Sequence, residues 1–296
     1  MAVKPWPRLF KIGALAGVVI MSILILRSMR RLESFKGVDS NSLTEIPFFT
    51  ERRDKSGPTS IKGVPLVIYE SWHSSYVPPK MKENIYSLLN KNPKFDYYLY
   101  TDDDCADYIK VNFSEEVLKA FNTLKPGAYK SDLWRYCIMY KQGGVYLDIK
   151  YNTLESLEDI ITRTPEVFVK DLDHGINEGV TCFYNGIMIS PPGNDVFKNC
   201  IDEIVENCKK RVYNINSLDV TGPCLLGRKL VKKDLQYTDN NTYQFSREIY
   251  SGFVLDYISY KEKRVFESYL EYRDEQKLTQ KTEHYGKMWD DNDIYM

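Results

Sequence analysis

Three polar residues within one short stretch could do chemistry together: Asp132, Arg135 and Asp148. Residues three apart on a helix share a face, so a carboxylate acceptor at 132 and a guanidinium fork at 135 would point the same way. Asp148 directly follows the apolar run Val145-Tyr146-Leu147, a short strand. It therefore emerges at that strand's carboxyl end, where open α/β sheets bind ligands. Two acids and a guanidinium meeting there would make the helix more than scaffold. A surface ion pair is the plainer reading of Asp132 and Arg135, but their place among Trp134, Tyr136 and Cys137, leading into a strand that ends in Asp148, favours a functional one.

The surrounding sequence supplies elements to hold these groups. Pro126 can open a helix, because its missing N–H is one that a helix start leaves unpaired anyway. Ala128 to Gln142 has no breaker, and Leu133, Tyr136, Cys137 and Tyr140 recur at three- and four-residue spacings. Gly143-Gly144 supplies the stop. Upstream, Val64 to Tyr69 reads as a first strand ending in Glu70-Ser71-Trp72-His73. Met81 to Asn90 reads as a helix and Asp96 to Tyr100 as a second strand, an order that predicts a parallel crossover. Asp102, Asp103 and Asp104 read as caps for the next helix rather than a metal site. Downstream, Glu166 to Lys170 and Phe183 to Ser190 read as strands and Val196 to Val212 as an amphipathic helix. Tyr250–Tyr260 and Val265–Tyr272 read as β-rich runs.

The stretch SDLWRYCIMYKQGGVYLDI resembles the central motif of glycosyltransferase family 32. That family includes fungal α-mannosyltransferases, inositol-phosphoceramide mannosyltransferases and, more distantly, the glucosyltransferase domains of large clostridial toxins. The likeness extends over roughly residues 61–290. It includes Trp72 at the end of the first strand, Asn185 in a strand before Pro191-Pro192-Gly193, Thr221-Gly222-Pro223, and an H-x-x-x-x-W segment from His284 to Trp289. The resemblance implies an α/β, GT-A-type domain with a mixed, mostly parallel central sheet flanked by helices. It implies a retaining transfer of a hexose from a UDP- or GDP-sugar to a glycan, glycolipid or glycoprotein acceptor, with Mn2+ or Mg2+. By the same resemblance the catalytic residues are Asp148, Asp132 and Arg135, with Asp132 and Arg135 on the sugar hydroxyls. Trp72 and Tyr146 would frame the base, Asn185 would bond the sugar, and Gly222 would allow a close approach. Asp148 would contact ribose and metal, His284 the metal or diphosphate, and Trp289 would close over them.

The chain departs from that pattern at one point. Enzymes of this fold usually carry a D-x-D pair, whereas this sequence reads Asp148-Ile149-Lys150. In an extended strand Lys150 would take the second carboxylate's place, and an ammonium beside a metal is unfavourable. Asp148 and His284 could hold the metal with help from donor phosphates, Lys150 could neutralise the diphosphate itself, or the strand could bend and turn Lys150 to solvent. The first is the expectation adopted. The departure also raises a rival from another class, a catalytically inactive, membrane-tethered nucleotide-sugar- or glycan-binding relative. No residue stands out as a covalent nucleophile.

Composition bounds the remainder. A formal net charge of −1 over 296 residues gives no bulk field for nucleic acid. Three histidines make a multi-histidine metal site unexpected, and six cysteines without a C-x-x-C pair argue against structural zinc. An even cysteine count permits disulfides without requiring them. Residues 1–8 form a short basic tail. Leu9 to Leu26 is almost wholly apolar, and Arg27, Arg30 and Arg31 follow in place of a small-residue cleavage site. Residues 9–27 are therefore expected to be an uncleaved transmembrane signal anchor, residues 28–60 a stem, and 61–296 the transferase domain. The expected setting is a single-pass type II protein of the Golgi or endoplasmic reticulum with a luminal domain. The sequons Asn112-Phe113-Ser114 and Asn240-Asn241-Thr242 would matter only there.

Overall fold

The computed structural model describes residues 42–172, 179–231, 242–250, 253–280 and 282–296. The expected tail, anchor and first part of the stem lie outside the described residues, as do His174 and Asn240-Asn241. Among the described residues no helix is long and apolar enough to cross a membrane.

Ten strands of the described residues form one sheet: β1 (Phe49–Thr50), β2 (Val67–Ser71), β3 (Asp96–Tyr100), β4 (Gly144–Leu147), β5 (Tyr151–Thr153), β6 (Val167–Lys170), β7 (Phe183–Ser190), β8 (Tyr243–Tyr250), β9 (Phe253–Tyr260) and β10 (Lys263–Ser268). Their spatial order is β1-β3-β2-β4-β7-β6-β8-β9-β10-β5. The helices are α1 (Pro79–Lys91), α2 (Asp102–Asn112), α3 (Glu115–Thr123), α4 (Gly127–Gln142), α5 (Leu157–Arg163), α6 (Asp195–Lys210), α7 (Pro223–Val231), α8 (Tyr272–Thr279) and α9 (Tyr285–Asp290). The sheet is mixed and flanked by helices, as expected, but the expectation of a mostly parallel sheet is corrected. Among the described residues only β2–β3, β2–β4 and β6–β8 pair parallel. The crossover through α1 makes β2 and β3 parallel, whereas β8, β9 and β10 are joined by short turns that force antiparallel pairing. The run read as Tyr250–Tyr260 contains β9 but is preceded by an unread partner, β8. The run read as Val265–Tyr272 stops at Ser268, and Tyr272 opens α8.

Side-chain alternation divides the core into two layers. Val145 and Leu147 of β4 face one layer with Ile68 of β2, Ile85 and Leu88 of α1 and Ile160 of α5. Tyr146 faces the other, with Tyr69 and the helices α2, α3, α4, α6 and α7. Each fully buried Leu or Ile contributes on the order of 1.5–3 kcal/mol. In α4, Tyr129, Asp132 and the unbroken run Leu133 to Met139 are buried, so this helix is covered on every side. Its stop is fixed by crowding. Gly143 and Gly144 have φ of +63° and +96°. A Cβ there would lie 2.5 Å from Pro192 N and 2.9 Å from Val67 O respectively. Asp102–Asp104 do open a helix: Thr101 caps it, and Asp104 closes a capping box with Thr101.

Candidate active site

The carboxyl ends of β2 and β4 and the start of α4 open onto one cleft of about 580 Å³. Since Tyr146 faces α4, the next residue of that parity, Asp148, turns towards the same helix. Arg135 Nη1 lies 3.5 Å from Asp132 Oδ1 and 3.5 Å from Asp148 Oδ1. The guanidinium is held from several sides: Nη1 donates to the Asn185 carbonyl at 3.0 Å and Nη2 to Ser131 Oγ at 2.9 Å. It also lies 4.6 Å above the Tyr146 ring. Burial works against its charge, but Tyr146, Asp148 and Asp132 outweigh burial and hold it protonated.

Asp132 is buried, and burial pushes its carboxyl above the usual range. Arg135, the Thr221 hydroxyl (2.7 Å to Oδ2) and Asn185 Nδ2 (2.9 Å to Oδ1) pull it back. Asp148 accepts from the hydroxyls of Tyr146 at 2.9 Å and Tyr184 at 3.1 Å. Its side chain keeps 27% of its surface exposed against 10% for Asp132, so Asp148 is the acid a ligand can reach.

A bulge in β7 builds much of this. Where β6 steps from Phe168 to Val169, its partner on β7 jumps from Met188 to Tyr184. The intervening residues turn their groups inward. The Asn185 carbonyl takes Arg135, and the Gly186 carbonyl accepts from Asp148 N at 2.7 Å. Opposite, Gly222 brings its backbone close to Asp132, where a Cβ would stand 3.3 Å from Oδ2. A disulfide between Cys182 and Cys224 ties β7's leading edge to the start of α7 beside that corner.

Residues 78–166 match the family described as "Glycosyltransferase sugar-binding region containing DXD motif". Inositol phosphoceramide mannosyltransferase 3 of Schizosaccharomyces pombe is 25% identical over 42% of this chain and 34% of its own length. An uncharacterized glycosyltransferase of Acanthamoeba polyphaga mimivirus is 26% identical over 60% of this chain and 67% of its own. The initiation-specific alpha-1,6-mannosyltransferase of Candida albicans is 26% identical over 40% of this chain and 32% of its own. Over this part of its length the chain is similar to the DXD glycosyltransferases. Its matches to the two fungal enzymes span about a third of their length.

The cleft lining brings together Trp72, Asp132, Arg135, Tyr146, Asp148, Lys150, Asn185, Gly222 and His284. Trp289 is not among them. Its Nε1 donates to the Tyr213 carbonyl at 2.8 Å. Tyr146 lines the cleft as part of the support of Asp148 and Arg135. Its hydroxyl serves Asp148, and its ring lies beneath Arg135 and edge-on to Trp134. Trp72 is buried beside His73, with ring centroids 4.6 Å apart, and its Nε1 has no partner among the described residues.

Lys150 lines the cleft but takes neither the extended nor the solvent-facing placement expected of it. The backbone does not stay extended, because Tyr151 N bonds back to the Asp148 carbonyl at 2.9 Å and closes a turn. The bend does not turn Lys150 to solvent. It is buried, with Nζ 2.6 Å from Asp256 Oδ2. Burial draws the ammonium below the usual lysine range, while Asp256 opposes that shift. Asp256 is itself held down to about 2, because Lys150 and Arg247 outweigh the cost of its burial.

The residues at the expected metal position do not fit a divalent ion's ligand set. Both Asp148 oxygens accept tyrosine hydroxyls, and one faces Arg135. His284 Nδ1 accepts from Gly286 N at 3.1 Å. Among the described residues no three His, Cys, Asp or Glu gather into a cation site.

Tyr184, Gly186, Arg247, Asp256, Tyr272 and Arg273 went unread as site residues. Only Gly186 carried a local signal, a glycine inside a strand pattern, which marks a bulge or a close backbone approach.

Proposed function

We propose that this protein is a retaining glycosyltransferase with a GT-A-type domain. It would move a hexose from a UDP- or GDP-sugar to a glycan, glycolipid or glycoprotein acceptor. The observation that carries this reading is the Arg135 guanidinium standing 3.5 Å from both Asp132 and Asp148 at the cleft floor. That arrangement offers acceptors to sugar hydroxyls and keeps the two acids from repelling each other. As the anomeric C–O bond breaks, its electron pair stays on the leaving phosphate oxygen. The acceptor oxygen forms the new bond from the same face, and its proton passes to the released diphosphate. Mannose is the first donor sugar to test, because two relatives are named mannosyltransferases.

The proposed setting is luminal and membrane-anchored through residues 9–27. The Cys182–Cys224 disulfide supports an oxidising compartment, and the apolar run from Leu9 to Leu26 supports the anchor. Nucleotide release from a panel of UDP- and GDP-sugars tests the reading. Turnover that Asp148→Asn abolishes is the expected result. Nucleotide binding without turnover of any donor would favour the inactive relative instead.

A further inference from the structure

The cleft has two electrically different ends. Asp132, Asp148 and Arg135 form the acidic one. At the other, three cations surround one carboxylate. Lys150 Nζ lies 2.6 Å from Asp256 Oδ2. Arg247 Nε donates to Oδ1 at 2.6 Å and Nη2 to Oδ2 at 3.1 Å, and Arg273 Nη2 stands 3.8 Å from Oδ2. One carboxylate cannot neutralise three cations, so the cluster is left positive. Lys150, Arg247 and Arg273 all line the cleft, while Asp256 sits behind them, 2% exposed on its side chain. Aromatic rings brace the heads: Arg247 over Phe245 at 5.6 Å, Arg273 over Tyr272 at 5.5 Å, and Lys150 over Tyr151 at 5.0 Å. The two arginines keep 37% and 39% of their side-chain surface open, so they can donate to a ligand without leaving Asp256.

Fixed guanidinium forks beside a buried ammonium suit phosphoryl oxygens, which accept bidentate and point-charge donors alike. Lys150 lies within the turn that Tyr151 N closes on the Asp148 carbonyl, so an anion on it adjoins the acidic end where a sugar would sit. Resting on the glycosyltransferase reading, we propose that Lys150, Arg247 and Arg273 bind the donor's diphosphate and stabilise the leaving nucleoside diphosphate directly, in place of a divalent cation. Asp256 is a positioning residue: it gathers the three cations and keeps them from repelling one another. The lysine at the second D-x-D position then belongs to a substitution of protein cations for a metal, and is not a defect.

The test titrates UDP, GDP and inorganic pyrophosphate into the full chain in detergent, once in EDTA and once with Mn2+, by calorimetry. Pyrophosphate and at least one nucleoside diphosphate are expected to bind in EDTA, with Mn2+ tightening them by less than about threefold. Lys150 and Asp256 are buried, so truncating either risks the fold. Arg247→Ala and Arg273→Ala, at half-exposed positions, should each weaken binding by about tenfold or more while Tm holds. Binding that requires Mn2+, or arginine variants that bind like the parent, overturns the proposal. Mn2+-dependent sugar turnover without binding in EDTA would sink it and leave the transferase standing. Arginine-dependent pyrophosphate binding in EDTA with no turnover of any nucleotide sugar would sink the transferase reading and leave the anion site.

Discussion

Asp148 and Gly186 meet twice. Asp148 N donates to the Gly186 carbonyl at 2.7 Å, and a Cβ at Gly186 would stand 2.5 Å from Asp148 Oδ2 and from the Tyr184 hydroxyl. The glycine is thus the space in which the reachable acid sits. Gly186→Ala should displace the carboxylate from Arg135 and lower kcat on the order of 10²-fold, the scale expected when a reacting group moves by about 1 Å. Donor turnover and a melting curve together check this. Parent-like turnover would show that the position of Asp148 does not matter to the chemistry.

Asp132 makes a prediction about pH. Burial raises its carboxyl above the ordinary range, and Arg135, Thr221 and Asn185 favour the charged form. If the ionised acid receives the sugar, kcat/KM falls as pH drops through that raised value, at higher pH than for an exposed aspartate. Thr221→Val removes the hydroxyl at 2.7 Å, so the acid limb should move to higher pH. A pH profile of both proteins decides the matter, and an unmoved limb would remove Asp132 from the rate law.

The fold was legible where local signals were strong. Pro126, Gly143-Gly144 and the spacing of Leu133, Tyr136 and Cys137 bound α4 to within one residue at each end. The shared face of Asp132 and Arg135 followed from helix spacing, and the approach of Asp148 from its place at a strand's carboxyl end. The bulge at Asn185-Gly186 and the placement of Arg247, Asp256 and Arg273 were not legible. They depend on which strands become neighbours, and β8 and β9 join the sheet far from β4 in sequence. Lys150 shows the difference most clearly. Its residue type could be read as a departure, but its partner is 106 positions away, and nothing local names Asp256.

The disulfide makes a prediction about the Gly222 corner. Cys182 and Cys224 are 42 residues apart and flank the segments that carry Asn185 and Thr221, both donors to Asp132. Cys182→Ser with Cys224→Ser should cost about 2–4 kcal/mol of stability, the usual range for such a closed loop. It should also raise the KM for the donor more than it lowers kcat, because the corner positions Asp132. Denaturant unfolding and steady-state kinetics read the two effects separately. A loss of stability with unchanged KM would confine the bridge to a structural role.

Glu70 supplies the last prediction. It sits on β2, fully buried, directly before Ser71 and Trp72 at the cleft mouth. Oε2 accepts from the Tyr97 hydroxyl at 2.8 Å, while Oε1 has no partner among the described residues. Burial pushes its carboxyl up to about 8, with Asp148 adding to the shift and the Tyr97 bond opposing it. The sign follows from proton counting. Between the ordinary glutamate range and about 8 the folded protein keeps a proton that the unfolded chain has lost, so stability falls as pH rises. It is full below the ordinary range and lost through about 8, a change on the order of a few kcal/mol. Glu70→Gln keeps the shape, removes the titration, and should melt increasingly above the parent as pH goes from 5 to 8.5. A difference in Tm that stays constant with pH would show that Glu70 is charged in the fold, and the strand beneath Trp72 would then need a counter-ion that Tyr97 alone does not provide.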